Sequence, residues 1–327
     1  MDLSIIIVTW NNEKEIGPCL RSVFACVEEL SVETVVIDNA SNDKTKEVIV
    51  DTLKFVIPSL QTRDLNVSNS ATRFLASDKT TTTARNDEGV ATGLNVKTIW
   101  NDKNLGFAAA VNQGLAAATG EFILLLNSDA APKPGALKTM IEYLRRHPAV
   151  GVAGGKVLNP DGTLQPSVRR FPTVFDQAVI LTKLHNFFPK AVAKYFCQGF
   201  DYDLEQEVDQ VRGAYFWITR RLIDKIGPMD AKSFFIWFEE VDYCRRAKDA
   251  GFKVIYVPAS VAVHEGGASF IQQVSLMKQR RLNKSMRNYF RKHGTMLDII
   301  VLMLLSPLSL ALAWVVQTFK IKPKKYV

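Results

Sequence analysis

Residues 101–130 read NDKNLGFAAAVNQGLAAATGEFILLLNSDA, and this stretch decides the fold. The alanine-rich run Phe107–Ala118 predicts a helix, because alanine has the highest intrinsic helix propensity. The short apolar run Glu121–Leu126 predicts a strand that is buried on both faces. The polar tripeptide Asn127-Ser128-Asp129 follows directly, so this strand ends in side chains that can bind a ligand.

The same alternation of strand and helix continues on both sides of this stretch. Before it, we predict strands at Leu3–Val8, Thr34–Ile37 and Val96–Trp100, a helix capped at Asn12-Glu13-Lys14-Glu15, and a helix at Lys44–Phe55. After it, we predict helices at Pro134–Arg146 and Glu239–Ala250, and strands at Gly213–Thr219, Phe252–Val257 and Ser260–His264. This order predicts an α/β fold with a mostly parallel sheet, which becomes mixed in the less regular second half.

Residues 59–94 interrupt this alternation. They are rich in Thr, Ser, Asn and Asp and show only weak periodicity. We therefore expect a polar insertion that is partly disordered. Its residues indicate no function.

The overall composition predicts a globular protein with an acidic partner. Of the 327 residues, 47% are hydrophobic and 23% are charged, which excludes a disordered chain. The net charge of +8 favours nucleic acid, anionic lipid or a phosphorylated substrate as the partner. The four cysteines lack metal-ligand spacing, and the first residues lead straight into a strand without a signal-peptide pattern. Both observations favour a cytoplasmic chain.

The positive charge is concentrated near the C-terminus. Lys278–Lys292 contains seven basic and no acidic residues, and four lysines follow within Lys320–Lys325. Between these runs, Ile299–Val316 is apolar apart from two serines and Pro307, and it has about the minimum length of a membrane-crossing helix. We expect membrane association, with a membrane-surface or re-entrant segment as much as a simple span, and Pro307 permits a kink or a hairpin. The alternative is a buried C-terminal helix. Nucleic-acid binding is disfavoured because the basic run precedes an apolar segment rather than a folded module.

Polar side chains follow the ends of three predicted strands. Thr9-Trp10-Asn11 follows the first strand, Asp38 and Asn39 follow the second, and Asn127-Ser128-Asp129 follows a later one. Ligands of open α/β sheets bind beyond the carboxyl ends of the strands, so we expect these groups to converge.

A nucleotide at this edge would have to be held without a glycine-rich fingerprint. No G-x-G-x-x-G follows the first strand, and GVAGGK at residues 151–156 lacks the P-loop spacing. Asp38 could accept from a base N–H, and Asp129 could hold a divalent cation that bridges a diphosphate. Each also has a structural explanation, as a helix cap for Asp38 and as a turn residue for Asp129.

A second group of candidate residues begins a later helix. Glu239 and Glu240 follow Trp237 and Phe238, and carboxylates at a helix N-terminus are favoured by the dipole whatever their function. Burial beside the aromatic rings would also raise the pKa of a carboxyl group and make it a better general base. His264 ends a strand and is either a core histidine or a metal ligand together with Asp129.

Five stretches, in order and with compatible spacing, resemble the family 2 glycosyltransferases, most closely the rhamnosyltransferase-like branch. They are SIIIVTWNNEKEIGPCLRSV, VVIDNASNDKT, NDKNLGFAAAVNQGLAAATGEFILLLNSDA, VRGAYFWITRRLIDKIGPMD and FFIWFEEVDYCRRAKDAGFKVIYVPASVAVHEGGAS. The resemblance implies a GT-A fold, a Rossmann-like mixed sheet flanked by helices. We expect a glycosyltransferase domain at residues 1–270 and a basic helix with a membrane-associated apolar segment at residues 271–327.

The resemblance also implies a role for each candidate residue. Glu240 would be the catalytic base, with Glu239 in reserve, and Asp129 and His264 would hold Mn²⁺ or Mg²⁺. The donor nucleotide sugar would be bound by Thr9, Trp10, Asn11, Asp38, Asn39, Asn104, Gly106, Phe107, Asn112, Asn127 and Ser128.

The chain departs from the family pattern at three places. Asn127 replaces the first aspartate of the metal-binding Asp-x-Asp motif, Glu240 stands where aspartate is usual, and residues 59–94 are additional. We expect an inverting transfer of a sugar, and the resemblance favours dTDP-rhamnose as the donor, with UDP-sugars next. The apolar C-terminal segment predicts an acceptor at the cytoplasmic face of the membrane, a lipid-linked or cell-surface glycan. The alternative is a catalytically weak, nucleotide-sugar-binding scaffold at the membrane.

Overall fold

The computed structural model describes residues 1–27, 30–56, 82–85, 91–266 and 275–318. It confirms the predicted fold class, a mixed and mostly parallel sheet between two layers of helices. Within the predicted insertion, two stretches of backbone are described, residues 82–85 and 91–94, and both are strands. The rest of residues 59–94, where we expected partial disorder, lies outside the described residues.

The strands run in chain order from β1 to β12. They are β1 (Leu3–Thr9), β2 (Val32–Asp38), β3 (Thr82–Arg85), β4 (Ala91–Trp100), β5 (Phe122–Asn127), β6 (Ala130–Pro132), β7 (Val150–Leu158), β8 (Val168–Arg169), β9 (Gln206–Glu207), β10 (Gln210–Val211), β11 (Tyr215–Thr219) and β12 (Lys253–His264). The helices are α1 (Ile16–Ala25), α2 (Thr45–Val56), α3 (Phe107–Ala117), α4 (Ala136–Arg146), α5 (Val174–Leu181), α6 (Arg220–Ile226), α7 (Glu239–Asp249), α8 (Ser275–His293) and α9 (Met296–Thr318).

The main sheet has the strand order β3-β4-β2-β1-β5-β11-β7-β12-β6. The neighbours β4, β2, β1 and β5 are parallel, whereas β11 is antiparallel to both β5 and β7. The carboxyl ends of β1, β2 and β5 therefore lie at one edge, as the sequence predicts. β12 is parallel to β7, and its last residues pair antiparallel with β6.

Alternation along β1 builds a core on each face of the sheet. Ile5 and Ile7 pack in one apolar cluster with α1, α2 and α4, while Ile6 packs in the other with α3, α6 and α7. This follows from the period of two in a strand, and it explains why a strand covered on both faces is apolar at every position.

Two predictions about individual elements are wrong, and one alternative at Pro307 is excluded. The two predicted strands at 252–257 and 260–264 form one strand, β12, because a register shift between Val257 and Val261 absorbs the break. Asn12 does not cap α1, which begins at Ile16 without a side-chain cap. Of the kink or hairpin that Pro307 permits, the hairpin does not form within the described residues, since Pro307 lies inside the continuous helix α9.

Helix α9 packs on the protein by one narrow face. Its buried positions are Leu302, Ser306, Ser309 and Ala313, spaced three or four residues apart. The two serines accept hydrogen bonds from α8, Ser309 from Asn283 at 2.7 Å and Ser306 from Arg287 at 2.9 Å. Large apolar side chains elsewhere on this helix are exposed, namely Met296, Leu297, Ile300, Met303, Leu304, Leu308 and Trp314.

Among the described residues, α9 is also the helix that is long and apolar enough to cross a membrane, with a mean hydropathy of 2.5. This is a statement about length and composition only. The exposed apolar side chains weigh against the alternative of a fully buried C-terminal helix.

At the amino end of β2, away from the carboxyl ends of the parallel strands, the buried carboxylate of Glu33 joins three elements. It accepts hydrogen bonds from Ser4 on β1 at 2.6 Å, from Lys97 on β4 at 2.6 Å, and from the Thr119 hydroxyl at 2.8 Å. Burial alone would raise the pKa of this carboxyl group, but the bonds from Lys97, Ser4 and Thr119 outweigh burial and lower the pKa to about 2.

We expect Glu33→Gln to destabilise the protein by on the order of 3 kcal/mol at pH 7, because the unfolded chain binds a proton at Glu33 more tightly than the folded one. This contribution is present above the ordinary glutamate pKa and disappears as the pH falls towards 2. Chemical denaturation at several pH values measures it. Glu142→Gln, at an exposed position of α4, is the control. Equal loss of stability in the two variants would contradict the assignment.

Candidate functional site

The pairing of β6 with β12 brings Asp129 and His264 together. In this antiparallel pair His264 lies opposite Ala130, and the Glu265 amide donates to the Asp129 carbonyl at 3.0 Å. His264 Nε2 lies 3.1 Å from Asp129 Oδ1 and 3.3 Å from Asn127 Nδ2. The structure therefore gathers these three predicted residues at the end of β5.

Gln165, which sequence reasoning missed, orients the imidazole of His264. Gln165 Nε2 donates to the His264 carbonyl and to Asn159 Oδ1, so its Oε1 faces His264 Nδ1 at 2.6 Å. His264 Nδ1 must then carry a proton and donate it to Gln165. No sequence signal points to Gln165, since it lies 99 residues from His264 in the irregular segment after β7.

This tautomer suits His264 for metal binding. With the proton on Nδ1, the lone pair of Nε2 in a neutral ring points towards the Asp129 carboxylate. A cation between Nε2 and the carboxylate would remove the repulsion between the lone pair and the negative charge. Metal-binding histidines commonly have such a partner on the other ring nitrogen. The described residues hold no cluster of three or more His, Cys, Asp or Glu side chains that could bind a metal. Asp129 and His264 would thus supply two ligands, and the remaining ligands would come from substrate oxygens and water.

Asp38, at the end of β2, has one carboxylate oxygen that accepts a hydrogen bond and one without a partner among the described residues. Its Oδ2 accepts from the Ser41 amide at 3.1 Å and lies 3.7 Å from Lys46 Nζ. The buried Oδ1 has no hydrogen-bond partner among the described residues. A buried acceptor without a donor costs free energy, which favours a ligand N–H at this position.

Several predicted donor-binding residues use their side chains to hold neighbouring loops. Asn39 Oδ1 accepts from Asn101 and from the Leu105 amide, and its Nδ2 donates to Asn104. Asn112 pairs with both backbone groups of Met229, at 2.8 and 3.0 Å. The side chains of Asn39 and Asn112 therefore fix the positions of neighbouring loops.

The residues after β1 are joined to the residues after β2 and β5. The buried Thr9 hydroxyl donates to Asn12 Oδ1 at 3.4 Å, which also accepts from the Trp10 amide at 3.3 Å and from the Ser128 hydroxyl at 3.1 Å. Asn11 adopts a positive φ of 52°, and its amide donates to Ser41 at 2.9 Å.

Gly106 is the point where the donor side of the site contacts the segment that leads to the two glutamates. A Cβ at this position would lie 2.5 Å from the Phe235 carbonyl oxygen, and φ is +88°. The following amide, Phe107 N–H, donates to that oxygen at 2.7 Å. Glycine is therefore required for close approach as well as for its backbone conformation.

Helix α8 holds residues 229–238 from the other side. Lys292 pairs with Asp230 at 2.9 Å, Asn288 donates to the Ser233 carbonyl at 2.7 Å, and Ser285 donates to the Ile236 carbonyl at 2.8 Å. The basic C-terminal helix that the sequence predicts is thus part of the support for the site.

Asp242 on α7 completes this support. Its fully buried carboxylate pairs with Lys292 at 2.7 Å, with His293 at 2.8 Å and with Arg246 at 2.9 Å. Burial alone would raise the pKa of Asp242, but the hydrogen bonds from His293 and Lys292 hold it below its ordinary value.

Glu239 and Glu240 begin α7 in a strained and buried setting. Trp237 and Phe238 just before them both have positive φ, 65° and 68°, which costs about 1–3 kcal/mol for each non-glycine residue. The Oε2 atoms of both glutamates are buried and have no hydrogen-bond partner among the described residues. Strain and open polar atoms together indicate a functional position.

The two glutamates differ in the charges around them. Burial raises the pKa of both, and the negative charge of Glu240 raises the pKa of Glu239 further. Arg212 and Arg169 oppose the effect of burial at Glu240. The arginines therefore favour the ionised form of Glu240 over that of Glu239, which fits Glu240 as the base. Sequence reasoning missed both arginines.

The sequence model of glycosyl transferase family 2 matches residues 4–67 and 76–203, more than half of the chain. The chain belongs to this family. Its mixed, mostly parallel sheet flanked by helices is the GT-A fold.

Two relatives are similar to this family 2 chain over roughly half of its length. An uncharacterized protein of Sinorhizobium fredii is 26% identical over 198 residues, which are 57% of the chain and 21% of that protein. The N-acetylglucosaminyl-diphospho-decaprenol L-rhamnosyltransferase of Mycobacterium tuberculosis is 25% identical over 183 residues, 52% of the chain and 59% of that enzyme. The matches therefore span less than two thirds of either relative.

Solved structures show the same fold. A mannosyltransferase of Pyrobaculum calidifontis, in complex with GDP-mannose and Mn²⁺, matches 98% of the chain and 76% of its own, with a TM-score of 0.54 and 16% identity. GalNAc-T7 with UDP, GalNAc and Mn²⁺ matches 88% of the chain and 47% of its own, with a TM-score of 0.56 and 16% identity.

For this family 2 chain we expect Gln165→Leu to weaken Mn²⁺ binding about 10- to 100-fold, because His264 Nδ1 loses the acceptor that fixes its tautomer. Calorimetric titration with Mn²⁺ measures the affinity. The control is Gln206→Leu, whose amide donates to the Asp201 carbonyl away from His264. An unchanged affinity in Gln165→Leu would show that this bond does not prepare a metal ligand.

Proposed function

We propose that this chain is an inverting glycosyltransferase that moves a sugar, rhamnose first among the candidates, from a nucleoside-diphosphate donor to a lipid-linked glycan. The observation that carries the proposal is the position of Glu240. Its side chain is half-buried, its buried Oε2 has no hydrogen-bond partner among the described residues, and it follows a segment that contacts the loop before α3 at Gly106. A base placed in this way can take the proton of an acceptor hydroxyl as that hydroxyl attacks the anomeric carbon.

The relatives support the choice of substrates. The mycobacterial relative is named for rhamnosyl transfer to a diphospho-decaprenol-linked sugar, and two solved structures of the same fold contain GDP-mannose or UDP together with Mn²⁺. We accordingly propose dTDP-rhamnose as the donor, with UDP-sugars next, and a polyprenyl-diphosphate glycan as the acceptor.

Each candidate residue has a defined task in this reaction. Glu240 accepts the proton, Glu239 stays neutral beside it, and Asp38 Oδ1 accepts from an N–H of the donor base. Asp129 and His264 would hold Mn²⁺ or Mg²⁺, with a histidine ligand favouring Mn²⁺. The cation would offset the negative charge that develops on the departing nucleoside diphosphate. Asn127, as an amide, is a weaker ligand than aspartate, and its Nδ2 lies against His264.

We also propose that residues 1–270 form the glycosyltransferase unit and residues 271–327 associate with the cytoplasmic face of the membrane. The support is the row of exposed apolar side chains on α9 beside the basic helix α8. Basic residues next to an apolar helix favour anionic lipid.

We expect Glu240→Gln and Asp129→Ala each to reduce sugar transfer by about 10²- to 10⁴-fold, since one removes the base and the other a metal ligand. Release of the nucleoside diphosphate from a panel of nucleotide sugars, with Mn²⁺ and a lipid-linked acceptor, measures this. Glu265→Gln, an exposed neighbour of His264, is the control. Wild-type rates in both variants would refute the assigned roles, and binding of a nucleotide sugar without any turnover by the wild type would indicate the scaffold instead.

We expect the pair Leu304→Lys and Leu308→Lys to release most of the protein from anionic vesicles in a flotation assay. Both side chains are exposed on α9, 73% and 48%, and lysine there would have to enter the apolar part of the bilayer. Leu204→Lys, exposed by 57% outside α9, should float like the wild type. Full flotation of the double variant would rule out this face as the membrane contact.

A further inference from the structure

Two arginines share one face of the small sheet formed by β8 and β10. Arg169 lies opposite Gln210 in this antiparallel pair, and the Arg212 amide donates to the Ser167 carbonyl at 2.9 Å one step further along. Alternate residues of a strand point to the same face, so Arg169 and Arg212 lie diagonally across from each other. Val168 and Val211, between them, turn into the core.

Both guanidinium groups are held in place without a carboxylate partner. Arg212 Nη1 donates to the Pro166 carbonyl at 3.2 Å, and Arg169 lies over the rings of Phe196 and Tyr195 at 4.8 and 5.7 Å. Among the described residues, neither arginine has a carboxylate within ion-pair distance, and the carboxylate they influence is Glu240. Two cations beside one shared carboxylate leave a positive charge that favours an anionic ligand.

A cavity of about 350 Å³ lies next to these arginines. Pro166, which binds Arg212, and Phe196, which lies under Arg169, both line it. The other walls are mostly apolar and include Leu164, Pro189, Val192, Phe200 and Tyr202. A mostly apolar cavity of this size, whose lining residues Pro166 and Phe196 contact the two arginines, suits a ligand with an anionic head and an apolar chain.

Exposed apolar side chains lie beside the cavity, in the segment that follows helix α5. The cavity is bordered by two 3₁₀ turns, Leu184–Asn186 and Pro189–Val192, and the side chains of Leu184, Phe187 and Phe188 beside it are exposed by 44%, 78% and 63%. Helix α5, just before these turns, packs against α9. Exposed aromatic side chains beside an apolar helix are typical of a membrane interface.

We propose that Arg169 and Arg212 bind the diphosphate of an isoprenoid-linked acceptor, whose first isoprenoid units occupy the cavity lined by Pro166 and Phe196. This assignment rests on the proposed function and adds the residues that recognise the acceptor. The chain would enter from the membrane side, past Phe187 and Phe188. The diphosphate on the two arginines then presents the attached sugar to Glu240.

Direct binding tests the site without turnover. The whole chain, in detergent and with EDTA so that no cation joins the probe to Asp129, is titrated with farnesyl diphosphate, inorganic diphosphate and farnesol. We expect farnesyl diphosphate to bind most tightly, and Arg169→Gln and Arg212→Gln each to weaken it about tenfold or more, the effect of one charged hydrogen bond. Leu164→Gln, at the partly exposed cavity wall, should weaken farnesyl diphosphate but not inorganic diphosphate.

The control for charge is Arg221→Gln, an exposed arginine on α6. Unchanged affinity for farnesyl diphosphate in both arginine variants would overturn the proposal. So would equal affinities of the wild type for farnesyl diphosphate and inorganic diphosphate, because the cavity would then contribute nothing.

Kinetics separate this site from an effect on the base. With N-acetylglucosaminyl-diphospho-farnesol as acceptor, we expect the arginine variants to raise the acceptor KM about tenfold and leave the donor KM unchanged. With the same sugar on an alkyl chain that lacks the diphosphate, only the loss caused by the changed charge around Glu240 should remain, so the loss should be clearly smaller than on the diphosphate acceptor. Equal losses on both acceptors would place the arginines at Glu240 alone and overturn the proposal. A wild type that transfers no sugar from any donor would refute the proposed function, whereas the titrations would still decide the site.

Discussion

The contact between Gly106 and Phe235 is the constraint on which the candidate site depends. The Phe107 amide donates to the Phe235 carbonyl at 2.7 Å, in a space that no Cβ can share. On one side of this bond lies the loop held by Asn39 and Asn104, and on the other the segment that enters α7 at Glu239. The loop before α3 and the segment that enters α7 therefore meet at Gly106, so a shift at this residue would displace both.

The fold was largely predictable because its strands are short apolar runs separated by amphipathic helices. Strands that are covered on both faces, such as β1 and β5, must be apolar at nearly every position, so a short apolar run is enough to predict them. The predictions failed where local pattern and tertiary contact disagree. Pro258 and Ala259 read as a break, yet β12 passes through them as one strand because β7 continues beside it. β7 itself, rich in glycine, went unrecognised, since Gly155 is needed for close packing on Tyr215 rather than for a turn.

The site was predictable only where its residues follow strand ends or begin a helix. Asp38, Asp129 and Glu240 are of this kind, because the topology of a parallel sheet brings such positions to one edge. The residues that orient them are different. They lie in irregular or very short elements, or far along the chain, and no sequence spacing predicts them. They are Gln165, Arg169, Arg212 and the residues of α8 that contact residues 229–238. Prediction from the sequence therefore finds candidate reacting groups and misses residues such as Gln165, Arg169 and Arg212 that orient them or change their pKa.

The contacts of α8 with residues 229–238 also affect the order in which the site can form during synthesis of the chain. The ribosome makes a chain from the N-terminus, so the segment leading to Glu239 and Glu240 emerges before Ser285, Asn288 and Lys292, which hold it. Asp242 likewise emerges before Lys292 and His293. Until these two residues are made, Arg246 is the one of its three ion-pair partners that is present. The two strained residues before Glu239 would lack their support during this interval. The nascent enzyme would thus stay inactive until the apolar helix that follows α8 is being synthesised.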